Sequence, residues 1–293
     1  MSSGPKGWEL VRLKSYLRLF RLRIVALLLF TALVTAAVAG EGSVPADKLL
    51  FLVLAGGIAS IGSGFLNHYF DRDIDAVMTR TKKRPIPSGE IDSDRVLYLG
   101  LALLALSMIL SLKLNLLASV FILSGALVYV AVYTLWLKRR TSLNIVVGGL
   151  SGAFAALAGW AAVNPELSLT PILIALVLFL WTPSHFWCFA ILHRDNYRRA
   201  GVPMLPVVVG NGKASRSILA NTVILSLASL LLYFQGAFGP YYLFAALAAG
   251  GVFIFLNVKQ VIAPSTRLAW RNYKFSGVYL IILLFAMLFE VYV

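Results

Sequence analysis

The chain has 293 residues, 60% of them hydrophobic and 13% charged, with a mean hydropathy of +0.85. A soluble globular domain carries roughly twice that charged fraction, so a water-soluble fold is excluded. The formal net charge of +14 would suit a nucleic-acid binder, but the placement of the cations along the chain argues against one.

Residues 1–22 open the chain as an interfacial segment. Trp8 to Arg23 mixes Leu, Phe and Trp with five basic residues, which predicts an amphipathic helix lying at the membrane surface. Apolar runs long enough to cross a bilayer then recur to the end of the sequence. They predict spans over Arg23–Ala39, Leu49–Phe70, Val96–Leu112, Leu116–Leu137, Asn144–Val163, Pro171–Leu192, Ile218–Phe238, Tyr241–Val258 and Phe275–Val293. The first run ends in TAAVAGEG, loosely like a signal-peptidase site. Its polar lead is long for a signal, however, and the span is needed for the count of nine. Glycines 56, 57, 62 and 64 in the second span, and 148, 149 and 152 in the fifth, let helices approach closely or leave room for a ligand. Cys188 is the only cysteine and falls inside a span, so no intramolecular disulfide forms.

Nine spans put alternate loops on opposite sides of the membrane. One side, with the N-terminus, receives 24 Lys and Arg residues; the other receives only Lys48 and Lys113. That asymmetry predicts a multi-pass protein of a cell membrane, prokaryotic in type, with a cytoplasmic N-terminus. The positive charge is therefore topological, with some attraction to anionic head groups of the bilayer, and no nucleic-acid partner is expected. One membrane domain spans 1–293.

The second span runs into NHYFDRDIDAVMTRTKKRPIPSG, Asn67 to Gly89. On a helix, Asn67, Asp71 and Asp75 are spaced i, i+4, i+8 and share a face, about 6 Å apart along the axis. An amide oxygen and two carboxylates suit Mg²⁺, a hard ion that commonly shares substrate phosphates. A structural reading has the aspartates cap the membrane edge and pair with Arg72 and Arg80. Acids so close to hydrocarbon are costly, which favours a bound partner. Arg80, Lys82, Lys83 and Arg84 follow before the turn-forming PIPSG, and metal-binding carboxylates beside such cations fit a diphosphate.

Two more segments reach the same side. LKRRTSLNIVVGG places Lys138, Arg139 and Arg140 in a short loop. WTPSHFWCFAILHRDNYRRAGVPMLPVVVG carries Asp195, the one acid among Arg194, Arg198 and Arg199; it reads either as a salt-bridge partner or as a metal ligand. His68, His185 and His193 fall near this end. Histidines beside aromatics are commonly satisfied structural residues; His185, inside HFWCF, is the one best placed to contact a substrate or a metal.

Taken together, DRDIDAVMTRTKKRPIPSG, YTLWLKRRTSLNIVVGG with GWAAV, and TPSHFW with YRRAGVPMLPVV resemble the UbiA-type intramembrane prenyltransferases. The likeness is strongest to the branch that farnesylates heme. The resemblance implies an all-α bundle of nine transmembrane helices around a central cavity, with the active-site mouth on the cytoplasmic side. It implies Mg²⁺ as cofactor, bound by Asn67, Asp71 and Asp75 with Asp195 from the second motif; Asp71, Asp75 and Asp195 would be catalytic. Arg80, Arg84 and Lys138 would hold the diphosphate, with Arg23 as a further contact; His185 stays a candidate substrate contact by its own setting in HFWCF. The implied substrates are farnesyl diphosphate and heme B, with room for a heme-handling or oxidase-assembly partner. The sequence departs from the family pattern in three places: Arg199 stands where a full second D-x-x-x-D needs an acid, Asn196 precedes Tyr197, and Ala155-Ala156 replaces a Pro-Pro pair. Prenyl transfer to an aromatic quinone precursor, or membrane transport, remains the alternative.

Overall fold

The computed structural model describes residues 15–293. The predicted helix from Trp8 therefore lies outside the described residues over 8–14, and the described part corrects it: the chain is helical over 15–17, turns at 18–19 and is non-helical at Arg21 before α1. Among the described residues there is no strand, and nine helices are long and apolar enough to cross a membrane. In chain order the helices are α1 (Leu22–Ala39), α2 (Ala46–Phe70), the short α3 (Arg72–Val77), α4 (Ser93–Ser111) and α5 (Leu116–Arg139). They continue as α6 (Asn144–Val163), α7 (Leu169–Leu192), the short α8 (Arg194–Arg199), α9 (Leu205–Phe234), α10 (Pro240–Ile262) and α11 (Thr266–Tyr292).

Helix starts follow local chemistry. Asp92 caps α4 by accepting from the amides of Asp94 and Arg95, Asn115 caps α5 through Ala118 N–H, and Ser265 caps α11 through Leu268 N–H. Proline opens α9 and α10, where its missing N–H costs nothing. Two helices start well before the spans expected from hydropathy: α9 at Leu205 rather than Ile218, and α11 at Thr266 rather than Phe275. Hydropathy sees only the part in lipid, whereas a helix needs no apolar face once it leaves the hydrocarbon. The extra turns carry exposed Lys213, Arg216, Arg267 and Arg271. Gly210, at φ 80° and ψ 164°, kinks α9 in a conformation only glycine adopts readily.

The bundle has two halves. In the first, α2 packs on α4, and α6 packs on both α1 and α5; in the second, α7 packs on α9 and α11, with α10 against both. Contacts of α6 with α7 and of α1 with α11 join them. At Gly159 the first half closes very tightly, since an added Cβ would lie 2.1 Å from the carbonyl oxygen of Ala32. In the second half a buried polar seam crosses helices. Asn221 donates to Ser184 Oγ at 2.7 Å, and Asn272 donates to Asn257 Oδ1 at 3.2 Å; such side chains hold helices together where water is absent.

Glu290, an acid isolated near the C-terminus, has a structural place. Its carboxylate accepts from Tyr242 N–H at 2.8 Å, in the first turn of α10. Gly239 allows this approach, because a Cβ there would sit 2.6 Å from Glu290 Oε2.

Candidate active site

The motif row survives a break in its helix. α2 ends at Phe70, Asp71 takes φ −92° and ψ 4°, and α3 resumes at Arg72. The backbone ladder nevertheless continues, with Asp71 N–H on Asn67 O at 2.9 Å and Asp75 N–H on Asp71 O at 2.7 Å. Asn67, Asp71 and Asp75 therefore remain in one row. All three are buried, exposed by 1%, 1% and 3%.

Buried carboxylates require partners. Lys138, itself buried, donates to Asp71 Oδ2, and Asn67 Nδ2 donates to the same oxygen at 2.8 Å. Arg84 donates to Asp75 Oδ2 at 2.6 Å. Burial by itself raises the Asp75 carboxyl, but the neighbouring His68 and the Arg84 guanidinium outweigh it and hold the group down at about 2.

The loop after α3 is folded to deliver Arg84. Thr81 Oγ1 donates to Asp75 O at 3.0 Å, Arg84 N–H reaches Thr81 O at 2.9 Å, and Gly89 turns the chain at φ 76°.

Helix α5 reaches the row through a π-helical stretch, Val128–Trp136. Thr134 Oγ1 accepts from Asn67 Nδ2 at 2.9 Å and donates to Tyr129 O at 2.8 Å. Such widened turns are frequent at functional sites. Tyr129 and Tyr133 stack with ring centroids 5.9 Å apart, and Gly148 makes room for Tyr133, whose ring a Cβ there would meet at 2.8 Å.

A third cation comes from a residue the sequence reading passed over. Arg21, just before α1, donates to Asn67 Oδ1 at 2.5 Å, to Tyr129 OH at 2.7 Å and to His68 Nε2 at 3.5 Å. The segment before it is anchored on the loop that carries Arg84. Ser15 and Arg18 bond Glu90 at 2.6 and 2.9 Å, Arg18 also reaches Lys83 O at 2.7 Å, and Leu19 is fully buried beside Phe65, Ile86, Ile91 and Val96. Arg23, the residue expected from the sequence, is exposed on α1.

The other expected residues lie outside this network. Arg80 rests over the Phe189 ring, 5.2 Å from its centroid. His185 stacks between Trp181 and Tyr273 at 4.4 and 4.5 Å and bonds Ser276 Oγ at 2.6 Å, at the α7–α11 contact. The Asp195 side chain is 82% exposed and lies 3.7 Å from Arg198. Its neighbours tie two loops together: Asn196 Oδ1 accepts from Thr79 N–H at 3.0 Å and from Arg199 at 3.2 Å. The departures at 196 and 199 thus form a tether to the first motif. Asp73 points away from the row and takes a two-bond fork from Arg139, at 2.6 and 2.7 Å.

Among the described residues, no group of three or more His, Cys, Asp or Glu side chains is placed to share a metal. A metal here would rest on two carboxylates and the Asn67 amide, an oxygen donor set that fits Mg²⁺. Asp71 Oδ1 supports that fit, being a buried carboxylate oxygen with no hydrogen-bond partner. The row's two carboxylates meet Arg84 and Lys138 while its amide meets Arg21, which leaves one positive charge in excess. An anionic ligand that brings its own metal balances such a site better than a metal alone.

Fold and site together define an integral, multi-pass membrane protein with a buried acid–base cluster at one end of its bundle. The chain belongs to the UbiA prenyltransferase family, whose model matches residues 28–285. It is 45% identical over 267 residues to protoheme IX farnesyltransferase 1 of Cenarchaeum symbiosum, covering 89% of this chain and 90% of that one. It is 43% identical over 282 residues to protoheme IX farnesyltransferase of Desulforudis audaxviator, covering 95% and 89%. Among solved structures, the fold matches that of a digeranylgeranylglyceryl phosphate synthase with a TM-score of 0.78 at 21% identity, over 96% of this chain and 98% of that one. It also matches a UbiA homolog from Archaeoglobus fulgidus bound to DMAPP and Mg²⁺, with a TM-score of 0.67 at 19% identity, over 93% and 98%.

Proposed function

We propose that this protein transfers the farnesyl group of farnesyl diphosphate to a vinyl group of heme B, giving heme O, with Mg²⁺ as cofactor. One observation carries the chemistry: the buried row of Asn67, Asp71 and Asp75 faces three cations and keeps one carboxylate oxygen unpartnered. Farnesyl and heme as substrates are supported by near full-length similarity to relatives bearing the protoheme IX farnesyltransferase name. The cofactor is supported by the Mg²⁺ and DMAPP in the Archaeoglobus homolog.

Asn67, Asp71 and Asp75 would hold the metal, which supplies charge to stabilise the departing diphosphate. Asp195, exposed and beside Arg198, is left out of that set. Arg21, Arg84 and Lys138 supply donors for phosphate oxygens, with Arg80, over the Phe189 ring, as a further contact. The farnesyl C–O bond breaks and its electron pair leaves with the diphosphate. The allylic cation takes electrons from the vinyl group to form a new C–C bond, and water adds to the carbon left positive and then loses a proton. Tyr129 and Tyr133 offer ring faces to the cation. Gly64 is buried one turn before Asn67, and no atom lies within 4 Å of where its Cβ would be, leaving a hollow for an apolar tail. The excess of Lys and Arg supports a cytoplasmic position for this end.

Diphosphate release separates the acceptors. Detergent-purified protein should release diphosphate from farnesyl diphosphate with heme B and not with 4-hydroxybenzoate, and Asp71→Ala should abolish release while melting as a folded protein. Release that depends on 4-hydroxybenzoate instead would assign the alternative acceptor, and release unchanged in Asp71→Ala would overturn the site.

A further inference from the structure

The residue next to Asn67 in the motif is a histidine with no role so far. His68 is 4% exposed and sits between two halves of the site. Its Nε2 accepts from Arg21 Nε–H at 3.5 Å, while its Nδ1 faces Asp75 Oδ2 at 3.9 Å. Arg21 has no lone pair to offer, so the nitrogen that receives its N–H must be bare. The proton of a neutral ring then sits on Nδ1 and points at Asp75. A doubly protonated ring would set an N–H against the Arg21 N–H and lose that bond.

His68 follows Asn67 directly on α2, so it points to the side of the row, between the Arg21 guanidinium and the α3 carboxylate. Arg84 at 2.6 Å and this ring at 3.9 Å both address Asp75 Oδ2. Arg21, in turn, has all three guanidinium nitrogens spoken for, by Asn67, Tyr129 and His68. Among the described residues, the ring is therefore the one side chain that meets both the proposed metal-binding carboxylate of α3 and the proposed diphosphate-binding cation before α1.

We propose that His68 is a positioning residue that fixes Asp75 and Arg21 relative to each other, so that the metal and the diphosphate are received in register. This rests on the metal–diphosphate reading of the site. Nδ1–H aims Asp75, as outer partners commonly aim metal ligands; bare Nε2 aims Arg21. The 3.9 Å contact closes to a hydrogen bond when the carboxylate is drawn into a complex, as such contacts do in working sites.

The two edges of the ring can be tested apart. An asparagine amide places an N–H near the position of Nδ1, and a glutamine carbonyl places an acceptor near that of Nε2. Mn²⁺ affinity is read by electron paramagnetic resonance, and farnesyl diphosphate affinity by calorimetry, on detergent-purified full-length protein with melting curves as the folding check. His68→Phe should weaken Mn²⁺ and farnesyl diphosphate each by about 10- to 100-fold, the range typical of lost outer partners. His68→Asn should recover Mn²⁺ affinity alone, and His68→Gln farnesyl diphosphate affinity alone. If His68→Phe is misfolded, the split between the Asn and Gln variants carries the test by itself. Asn and Gln variants that bind both ligands like wild type, or lose both alike, overturn the positioning role. A wild-type protein that binds neither Mn²⁺ nor farnesyl diphosphate would overturn the metal–diphosphate site, and this inference with it.

Discussion

Arg21 and Arg23 are two residues apart, and only one of them faces the motif. Arg21 is the last residue before α1, with ψ at 60°, so its direction is set by the chain leading in and not by helical phase. Nothing in the sequence pattern announces that change, so the helix predicted over Trp8 to Arg23 runs through Arg21 and its phase misplaces that side chain. Leu19 and the Arg18–Glu90 pair then fix the approach. Arg21→Met should lower kcat/KM for farnesyl diphosphate by at least about 100-fold, the scale for losing one donor to a developing anion. Arg23→Met, on an exposed position, should stay within about twofold. Equal losses in the two variants, measured by diphosphate release, would contradict the assignment. The acid row itself was legible, because i, i+4, i+8 spacing survives the break at Asp71 through its continuing backbone bonds.

At the scale of elements, the spans were legible because lipid demands apolar side chains over a fixed length. Their extensions in α9 and α11 were not, since a helix beyond the hydrocarbon carries no such mark. The register of α5 was hidden for another reason: a π-helical stretch shifts which residues meet the row, and no composition signal announces it. Helix contacts through glycine were legible as candidates only. Gly159, which was not singled out, makes a much closer contact than Gly56 or Gly57, because close approach depends on what lies opposite. Gly159→Leu must push α1 away from α6 and should destabilise by about 1–3 kcal/mol or more, as overpacking does. Gly251→Leu, exposed on α10 with no atom within 4 Å of its Cβ position, should melt like wild type. Thermal unfolding in detergent compares them, and an undiminished melting temperature for Gly159→Leu would contradict the packing described.

For the whole molecule, the bundle brings segments far apart in the chain to one end: the residues before α1, the end of α2 with α3 and its loop, and the end of α5. Each contributes charge that would be costly alone near hydrocarbon, and together they leave one cation in excess. Glu290 belongs to no such cluster; it caps α10, which removes the one acid that could have suggested a transport path. The acceptor was legible only through family resemblance, since apolar helices can shelter many partners. The most direct test is to incubate purified protein with heme B and farnesyl diphosphate, with Mg²⁺ or with chelator, and to weigh the extracted heme. The account predicts a heme heavier by a farnesyl group and one hydroxyl, formed only with Mg²⁺; unmodified heme in both reactions would contradict it.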